Sequence, residues 1–168
     1  GTSNGKSIRF SEEQIRPSGR KTMGVKGITL SSTNDKVVGM LLIKREGTVL
    51  VATENGFGKR TEIAQYRAQK RGGKGVLTMK TTEKLGKMIT IKEVVGTDDL
   101  MIIRDDGVLI RMPVSQIRSI GRATQGVRLI KLGKGTKVSS ITRIISEEEK
   151  KTDEPSTKEE HSPEPKEG

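Results

Sequence analysis

The chain has 168 residues, a formal net charge of +11, no cysteine and only 2% aromatic residues. That length suits one domain, or one domain with a tail. The lack of cysteine excludes disulfides and thiolate metal sites, and no apolar run approaches the roughly 20 residues that a membrane-spanning helix needs.

Charge divides the chain into two parts. Residues 146–168 hold nine acidic residues and four lysines, whereas residues 1–145 hold 28 basic and 12 acidic residues, a net charge of +16. The composition of residues 146–168, rich in Glu, Lys, Pro, Ser and Thr, predicts a disordered acidic tail. The basic body, residues 1–145, is typical of a protein that binds a polyanion. A basic surface that serves solubility alone is the alternative.

A repeat of about 51 residues organises the basic body. Asn4-Gly5, Asn55-Gly56 and Asp106-Gly107 recur at that spacing, and we interpret each pair as a two-residue type I′ hairpin turn. Short runs rich in β-branched residues predict strands at 37–43, 48–52 and 100–103. Residues 138–144 resemble the first strand of a further copy. Four short strands per repeat predict an all-β, propeller-like array of blades, of which this chain holds about three.

The residue inventory argues against an enzyme active site. The only histidine, His161, lies in the predicted tail, so the body has no histidine for acid–base catalysis or metal binding. We interpret Asp98-Asp99 and Asp105-Asp106 as turn residues rather than as Mg²⁺ ligands. No glycine-rich segment has the spacing of a phosphate-binding loop. We therefore expect no catalytic residue, no metal site and no cofactor in this segment.

The basic side chains keep step with the repeat. Aligned by repeat, with the middle copy three residues shorter between Arg67 and Gly72, they form the sets Arg9, Arg60 and Arg111; Arg16, Arg67 and Arg118; Lys26, Lys74 and Arg128; and Arg20 with Arg122. Equivalent positions of successive blades lie at equivalent points of the perimeter, so these cations, together with Lys59, Lys70 and Arg71, predict a curved basic belt. As an alternative, some of these arginines form salt bridges between neighbouring blades instead.

Duplex DNA is the polyanion that the sequence favours. Phe10, Phe57 and Tyr66 are the only aromatic residues, whereas binders of single strands and of RNA stack bases on aromatic side chains. No segment resembles a recognition helix. What remains is a duplex that is held by its phosphates and bent along the belt. A propeller-type platform for an acidic protein partner is the alternative from another functional class.

Three motifs carry a family resemblance. Thr53–Thr61, Tyr66–Gly75 and Ile120–Ile130 closely resemble segments of the C-terminal domain of bacterial DNA gyrase A, and the resemblance extends over residues 1–145. It implies a β-pinwheel that wraps duplex DNA and supports ATP-dependent negative supercoiling in the bacterial cytoplasm, in association with the nucleoid. It also implies as partners the rest of gyrase A together with gyrase B, in an A2B2 assembly, with ATP and Mg²⁺ bound by other domains. Neither a membrane nor a small-molecule substrate is implied.

One heptad resembles the gyrase box, the motif that this family needs for wrapping. It comprises Gln69, Lys70, Arg71, Gly72, Gly73, Lys74 and Gly75. In the family the functional box lies in the first blade, whereas this copy lies nearer the C-terminal end, so a DNA-contact loop and a structural connection between blades both stay open. Tyr66 shares its repeat position with isoleucines and is expected to pack in the core. The topoisomerase IV counterpart is the nearest alternative within this resemblance, although it usually lacks an intact box.

Overall fold

The computed structural model describes residues 1–145, and the predicted tail at 146–168 lies outside the described residues. Within the described part the chain forms strands and short 3₁₀ turns, with no α-helix and hence no helix that could cross a membrane. The strands are β1 (Lys6–Ser7), β2 (Thr48–Thr53), β3 (Phe57–Glu62), β4 (Val76–Leu77), β5 (Met88–Val94), β6 (Asp99–Arg104), β7 (Leu109–Pro113), β8 (Val127–Arg128) and β9 (Val138–Ile144). The 3₁₀ turns are Glu12–Gln14, Ile63–Gln65 and Val114–Gln116. The all-β prediction is confirmed.

The strands form three antiparallel blades that share strands across repeats. Blade 1 contains β1 and β4, blade 2 has the strand order β5-β2-β3-β8, and blade 3 has the order β7-β6-β9. The second repeat thus donates β4 to blade 1, and the third repeat donates β8 to blade 2. Each donated strand satisfies backbone groups on the outer edge of its neighbour. We call the boundary between two neighbouring blades a seam.

Two strand predictions need correction. Residues 37–43 form only an isolated bridge between Val37 and Thr2. Within the described chain their other hydrogen bonds go to Gly1 alone, whereas β5 pairs with the whole of β2. Residues 138–144 do form a strand, but β9 pairs with β6. It is therefore the last strand of the third blade and not the first strand of a further copy.

The hairpin turns also differ from the predicted type. Gly5, Gly56 and Gly107 have φ angles of 79°, 79° and 83°, while no other residue type has a positive φ in the described chain. The Gly56 N–H donates to Thr53 O at 3.1 Å, which closes a turn over Glu54 and Asn55. A type I turn followed by a left-handed glycine is the usual three-residue hairpin, whereas type I′ needs two consecutive positive φ angles. The turn positions were predicted correctly and the turn type was wrong.

Thin cores lie between the blades rather than inside one thick centre. All six residues of β2 are buried, and successive side chains of a strand point to opposite faces. Val49 and Val51 therefore pack with Tyr66 and Met79 on one face, while Leu50 packs with residues of blade 3 on the other. The predicted packing role of Tyr66 is confirmed, since only 4% of its surface is exposed.

Turn glycines provide a direct measure of packing at a seam. A methyl group on Gly56 would lie 2.8 Å from Ile130 Cγ2 and 2.9 Å from Ile130 O, whereas one on Gly107 would meet nothing within 4 Å. Gly107→Ala should cost about 1–2 kcal/mol, the penalty for a left-handed alanine. Gly56→Ala should cost about 1–3 kcal/mol more, because it also overpacks the seam. Urea denaturation of both variants checks this prediction, and equal losses would contradict it.

Candidate nucleic-acid interface

The first set of repeated arginines links neighbouring blades. Arg9 Nη1 donates to Ile63 O and Tyr66 O, both at 3.2 Å, and so joins blade 1 to the 3₁₀ turn of the second repeat. Arg60 Nε makes the equivalent bond to Ile117 O at 2.7 Å. We call Arg9 and Arg60 the linking arginines. Arg111 shares their repeat position but forms an ion pair with Asp99 at 2.6 Å and remains 62% exposed.

A second arginine at each seam reaches in the opposite direction, from the later repeat back to the earlier one. Arg71 Nη1 donates to Lys26 O at 2.7 Å, and its Nε donates to Gln14 O at 3.1 Å. Arg122 makes the same two contacts one repeat later, to Leu77 O and to Gln65 O. We call Arg71 and Arg122 the anchor arginines. Four of the predicted arginines therefore join neighbouring blades, but through hydrogen bonds to main-chain carbonyls and not through the salt bridges that the alternative predicted.

The anchor arginines correct the register of the repeat. Gly75 and Gly126 both have positive φ angles, and β4 and β8 occupy equivalent places on the two preceding blades. The middle copy is thus not shortened in this stretch. Arg71 is equivalent to Arg20 and Arg122, while Lys26 and Arg128 are equivalent to Leu77 and not to Lys74.

The prediction that Lys59 contacts DNA is wrong. Its side chain is fully buried, and Nζ donates to Gly121 O at 2.7 Å, to Arg122 O and to Thr124 Oγ1 at 3.1 Å. Burial, aided by the charge of Arg122, lowers the pKa of Lys59 to about 8. The sequence did contain a signal of this inward direction, because the equivalent residues of the first and third repeats are the apolar Ile8 and Ile110.

A third set of arginines is exposed and in phase with the blades. Each of Arg16, Arg67 and Arg118 directly follows the C-cap residue of a 3₁₀ turn. Arg67 and Arg118 also precede residues that bridge in parallel to Arg9 and Arg60, which places them on the two seams. None of the three side chains has a hydrogen bond or ion pair within residues 1–145, and all three are exposed. Arg16 has the same repeat position in the first repeat. We call these three residues the seam arginines, after the place of Arg67 and Arg118.

Other predicted cations have a similar environment. Arg20, Lys26, Lys70 and Lys74 are exposed, and their side chains form no hydrogen bond or ion pair in the described part of the chain. Arg128 is exposed as well, and its guanidinium lies 5.5 Å from the centroid of the Phe57 ring, a cation–π contact that holds it over the end of β3.

The heptad 69–75 is bound to the preceding repeat through its backbone. The Gly72 N–H donates to Gly27 O at 2.8 Å, and Thr29 Oγ1 donates to Gly72 O at 2.6 Å. Gly75, at φ 67°, approaches Ser7 so closely that an added Cβ would lie 2.4 Å from its carbonyl oxygen. Only glycine fits such a position, so the heptad has a structural part whatever else it does.

The carboxylates singled out in the sequence have structural partners. Asp98 is buried and pairs with Arg45 at 2.6 Å, and Asp105 accepts the Lys137 N–H at 3.0 Å beside a hairpin turn. Within residues 1–145 no group of three His, Cys, Asp or Glu side chains is arranged to hold a metal ion.

Known proteins resemble this chain in sequence and in architecture. A family model described as "DNA gyrase C-terminal domain, beta-propeller" matches residues 1–44, 47–94 and 98–144, one segment for each repeat. The gyrase A protein of Staphylococcus epidermidis is 47% identical over 151 residues, which are 89% of this chain and 17% of that protein. Its Staphylococcus aureus counterpart is 47% identical over 156 residues, 92% of this chain and 18% of that protein. The chain thus spans less than a fifth of these relatives.

Two solved structures have the same fold. The DNA gyrase A C-terminal domain superposes with a TM-score of 0.79 at 24% identity, covering 86% of this chain and 49% of that one. The C-terminal domain of DNA topoisomerase IV superposes with a TM-score of 0.77 at 22% identity, covering 84% and 44%. Both agree with the predicted blade array.

The buried ammonium of Lys59 predicts a specific pH dependence. The folded chain binds this proton more weakly than the unfolded chain, whose lysine titrates near 10.5. Between about pH 8 and 10.5 the unfolded state therefore holds more protons, and the contribution of Lys59 to the free energy of unfolding rises with pH. Lys59→Met should remove that rise. Urea denaturation of both proteins across this range tests it, and parallel pH profiles would refute it.

Proposed function

The chain belongs to the DNA gyrase C-terminal domain family, and on that premise we propose that its blades bind duplex DNA by the phosphates and bend it along their perimeter. The observation that carries this proposal is the seam arginines. They recur with the blade period, they are exposed, and no other residue of the described chain engages their guanidinium groups.

Phase alone does not identify a DNA contact, because the linking and anchor arginines are also in phase. The difference lies in their donors: a linking or anchor arginine already donates to main-chain carbonyls, whereas a seam arginine retains all its N–H groups. Guanidinium groups bind phosphate oxygens strongly and often in a bidentate manner. A row of such groups at the blade spacing therefore supports a track for a sugar–phosphate backbone.

Charge and composition support the same ligand. The body carries a net charge of +16, which favours a polyanion and accelerates its association. Single-strand binders need aromatic platforms, yet Tyr66 is buried and Phe57 is covered by Arg128. Bending 20–30 base pairs along a curved track costs about 1–6 kcal/mol, which added phosphate contacts offset.

The proposal places this module in a larger enzyme. By analogy with the staphylococcal gyrase A relatives, the module supports ATP-dependent negative supercoiling, and other domains bind ATP and Mg²⁺. Its partners are the remainder of gyrase A together with gyrase B in an A2B2 assembly, acting on the nucleoid in the bacterial cytoplasm. The topoisomerase IV counterpart has a nearly equal structural likeness, but the intact heptad and the staphylococcal relatives favour gyrase.

A matched pair of triple variants tests the binding proposal. Arg16→Gln, Arg67→Gln and Arg118→Gln together should make the negative slope of log K against log salt shallower by about 2.7, because each phosphate contact contributes about −0.9. The control carries Lys36→Gln, Lys84→Gln and Lys134→Gln, three exposed residues outside the 3₁₀ turns with the same total change of charge. Fluorescence anisotropy with a duplex measures both slopes. An equal change in the two variants would contradict the seam track.

Wrapping makes a second, topological prediction. Bound to relaxed closed-circular DNA that is then treated with a nicking-closing topoisomerase, the chain should leave a shift in linking number that grows with the amount of protein. The seam variant should lose most of this shift, since it lacks the contacts that offset bending. Binding of the unaltered chain without any change in linking number would show that DNA is held but not wrapped.

A further inference from the structure

The heptad 69–75 is anchored to the preceding repeat at several points. Besides the two carbonyl contacts of the Arg71 side chain, the Arg71 N–H donates to Gln14 Oε1 at 2.7 Å. The Gln69 N–H donates to Arg9 O at 2.8 Å, and the Thr29 N–H donates to Gly73 O at 2.8 Å. Backbone bonds and one guanidinium therefore fix the path of this loop against blade 1.

The guanidinium of Arg71 is committed to these contacts. Two of its nitrogens donate to carbonyls of Gln14 and Lys26, which belong to different segments of the first repeat. Hydrogen bonds in which the donor is charged are roughly twice as strong as neutral ones. Turning this side chain toward a phosphate would break both bonds and leave the loop held by its backbone bonds alone.

The two lysines of the heptad behave differently. Lys70 and Lys74 are exposed, and their ammonium groups form no hydrogen bond or ion pair within residues 1–145. They flank the anchored segment Arg71–Gly73, so the anchor fixes the backbone between them. Two cations held at a fixed separation on a rigid loop suit two phosphate oxygens better than cations on a mobile loop, because less ordering entropy is lost on binding.

The third repeat contains the same anchor without the lysines. The Arg122 N–H donates to Gln65 Oε1 at 3.0 Å, and its side chain donates to carbonyls of Gln65 and Leu77. The residues equivalent to Lys70 and Lys74 are Gly121 and Gln125. The chain thus contains two copies of one anchored loop, of which one carries the cations and the other does not.

From this comparison we infer that the heptad divides its work: Arg71 is a positioning residue that fixes the loop to the preceding blade, and Lys70 and Lys74 bind DNA phosphates. The inference rests on the proposed binding of duplex DNA. It removes Arg71 and Arg122 from the predicted DNA contacts. The sequence left open whether the heptad is a DNA-contact loop or a structural connection between blades, and the inference assigns the first role to its lysines and the second to its arginine.

The test uses the full 168-residue chain and the salt dependence of binding to a duplex. Lys70→Gln with Lys74→Gln should make the negative slope of log K against log salt shallower by about 1.8. The control Lys36→Gln with Lys84→Gln should change the slope little. Arg71→Gln should make the slope shallower, toward that of the lysine variant, because a loop held by its backbone bonds alone no longer fixes the two lysines in place. Arg122→Gln should leave the slope unchanged. Thermal unfolding checks that each variant is folded.

The decisive measurement combines the substitutions. In the background of Lys70→Gln and Lys74→Gln, adding Arg71→Gln should leave the slope unchanged, because a positioning residue has nothing left to position. A further loss of about 0.9 in that background would mean that Arg71 itself contacts a phosphate and would overturn the inference. An equal slope loss in Arg122→Gln would overturn it too, since loosening any seam would then suffice.

An uncharged pair keeps the test valid if an arginine variant fails to fold. Gln14→Leu removes the side-chain acceptor of the Arg71 N–H, and Gln65→Leu removes the equivalent acceptor of the Arg122 N–H. Only Gln14→Leu should make the slope of log K against log salt shallower. Equal slopes in the two would refute the division of roles. Failure of the unaltered chain to bind duplex DNA in a salt-dependent way would instead reject the proposed function itself.

Discussion

Strand donation across the seams is the constraint on which the rest of the structure depends. A blade is complete only when the next repeat supplies a strand to its outer edge, yet β4 and β8 have only two residues each. Two residues make too few hydrogen bonds to hold blades together by themselves. The linking and anchor arginines add charge-assisted bonds between consecutive repeats. The carbonyls that they bind lie in or directly after the 3₁₀ turns and at Lys26 and Leu77.

This arrangement explains why a basic composition is built into the fold as well as into the surface. Each seam uses at least two guanidinium groups to satisfy carbonyls, and those groups recur with the repeat for structural reasons. Periodicity of charge is therefore weak evidence for a ligand when taken alone. What separates the seam arginines is that their N–H donors are unused within residues 1–145, which only the structure reveals. The arginines that bond to main-chain carbonyls and the arginines that remain free to bind a ligand lie close together around the same 3₁₀ turns.

The sequence was sufficient for the features that local chemistry dictates. The three Asn-Gly or Asp-Gly pairs marked the turns, the β-branched runs marked β2 and β6, and the repeat indicated blades.

The sequence was insufficient where strand pairing is non-local. Residues 138–144 resemble a beginning because nothing local says that β9 returns to β6. The turn type was missed because Asn-Gly is compatible with both hairpin classes, and the register of the anchor arginines was missed because the heptad contains an extra pair of glycines. Lys59 was misplaced because lysine is ordinarily an exposed residue, although its equivalents here are isoleucines.

The two seams are built alike, but one has its lysine buried and the other has its lysines exposed. At the seam between blades 2 and 3, Lys59 puts an ammonium inside, beneath the loop that contains Gly121 and Thr124. At the seam between blades 1 and 2 the equivalent residue is Ile8, whose Cδ1 would lie 3.5 Å from a Cβ on Gly73. An apolar support adds no positive charge beneath the heptad, whereas the charge of Arg122 already lowers the pKa of Lys59. Lysines above Lys59 would add to that repulsion, since like charges in a poorly solvated site destabilise one another. The loop supported by Ile8 is thus the one on which two exposed lysines are electrostatically tolerable, and it is the loop that carries them.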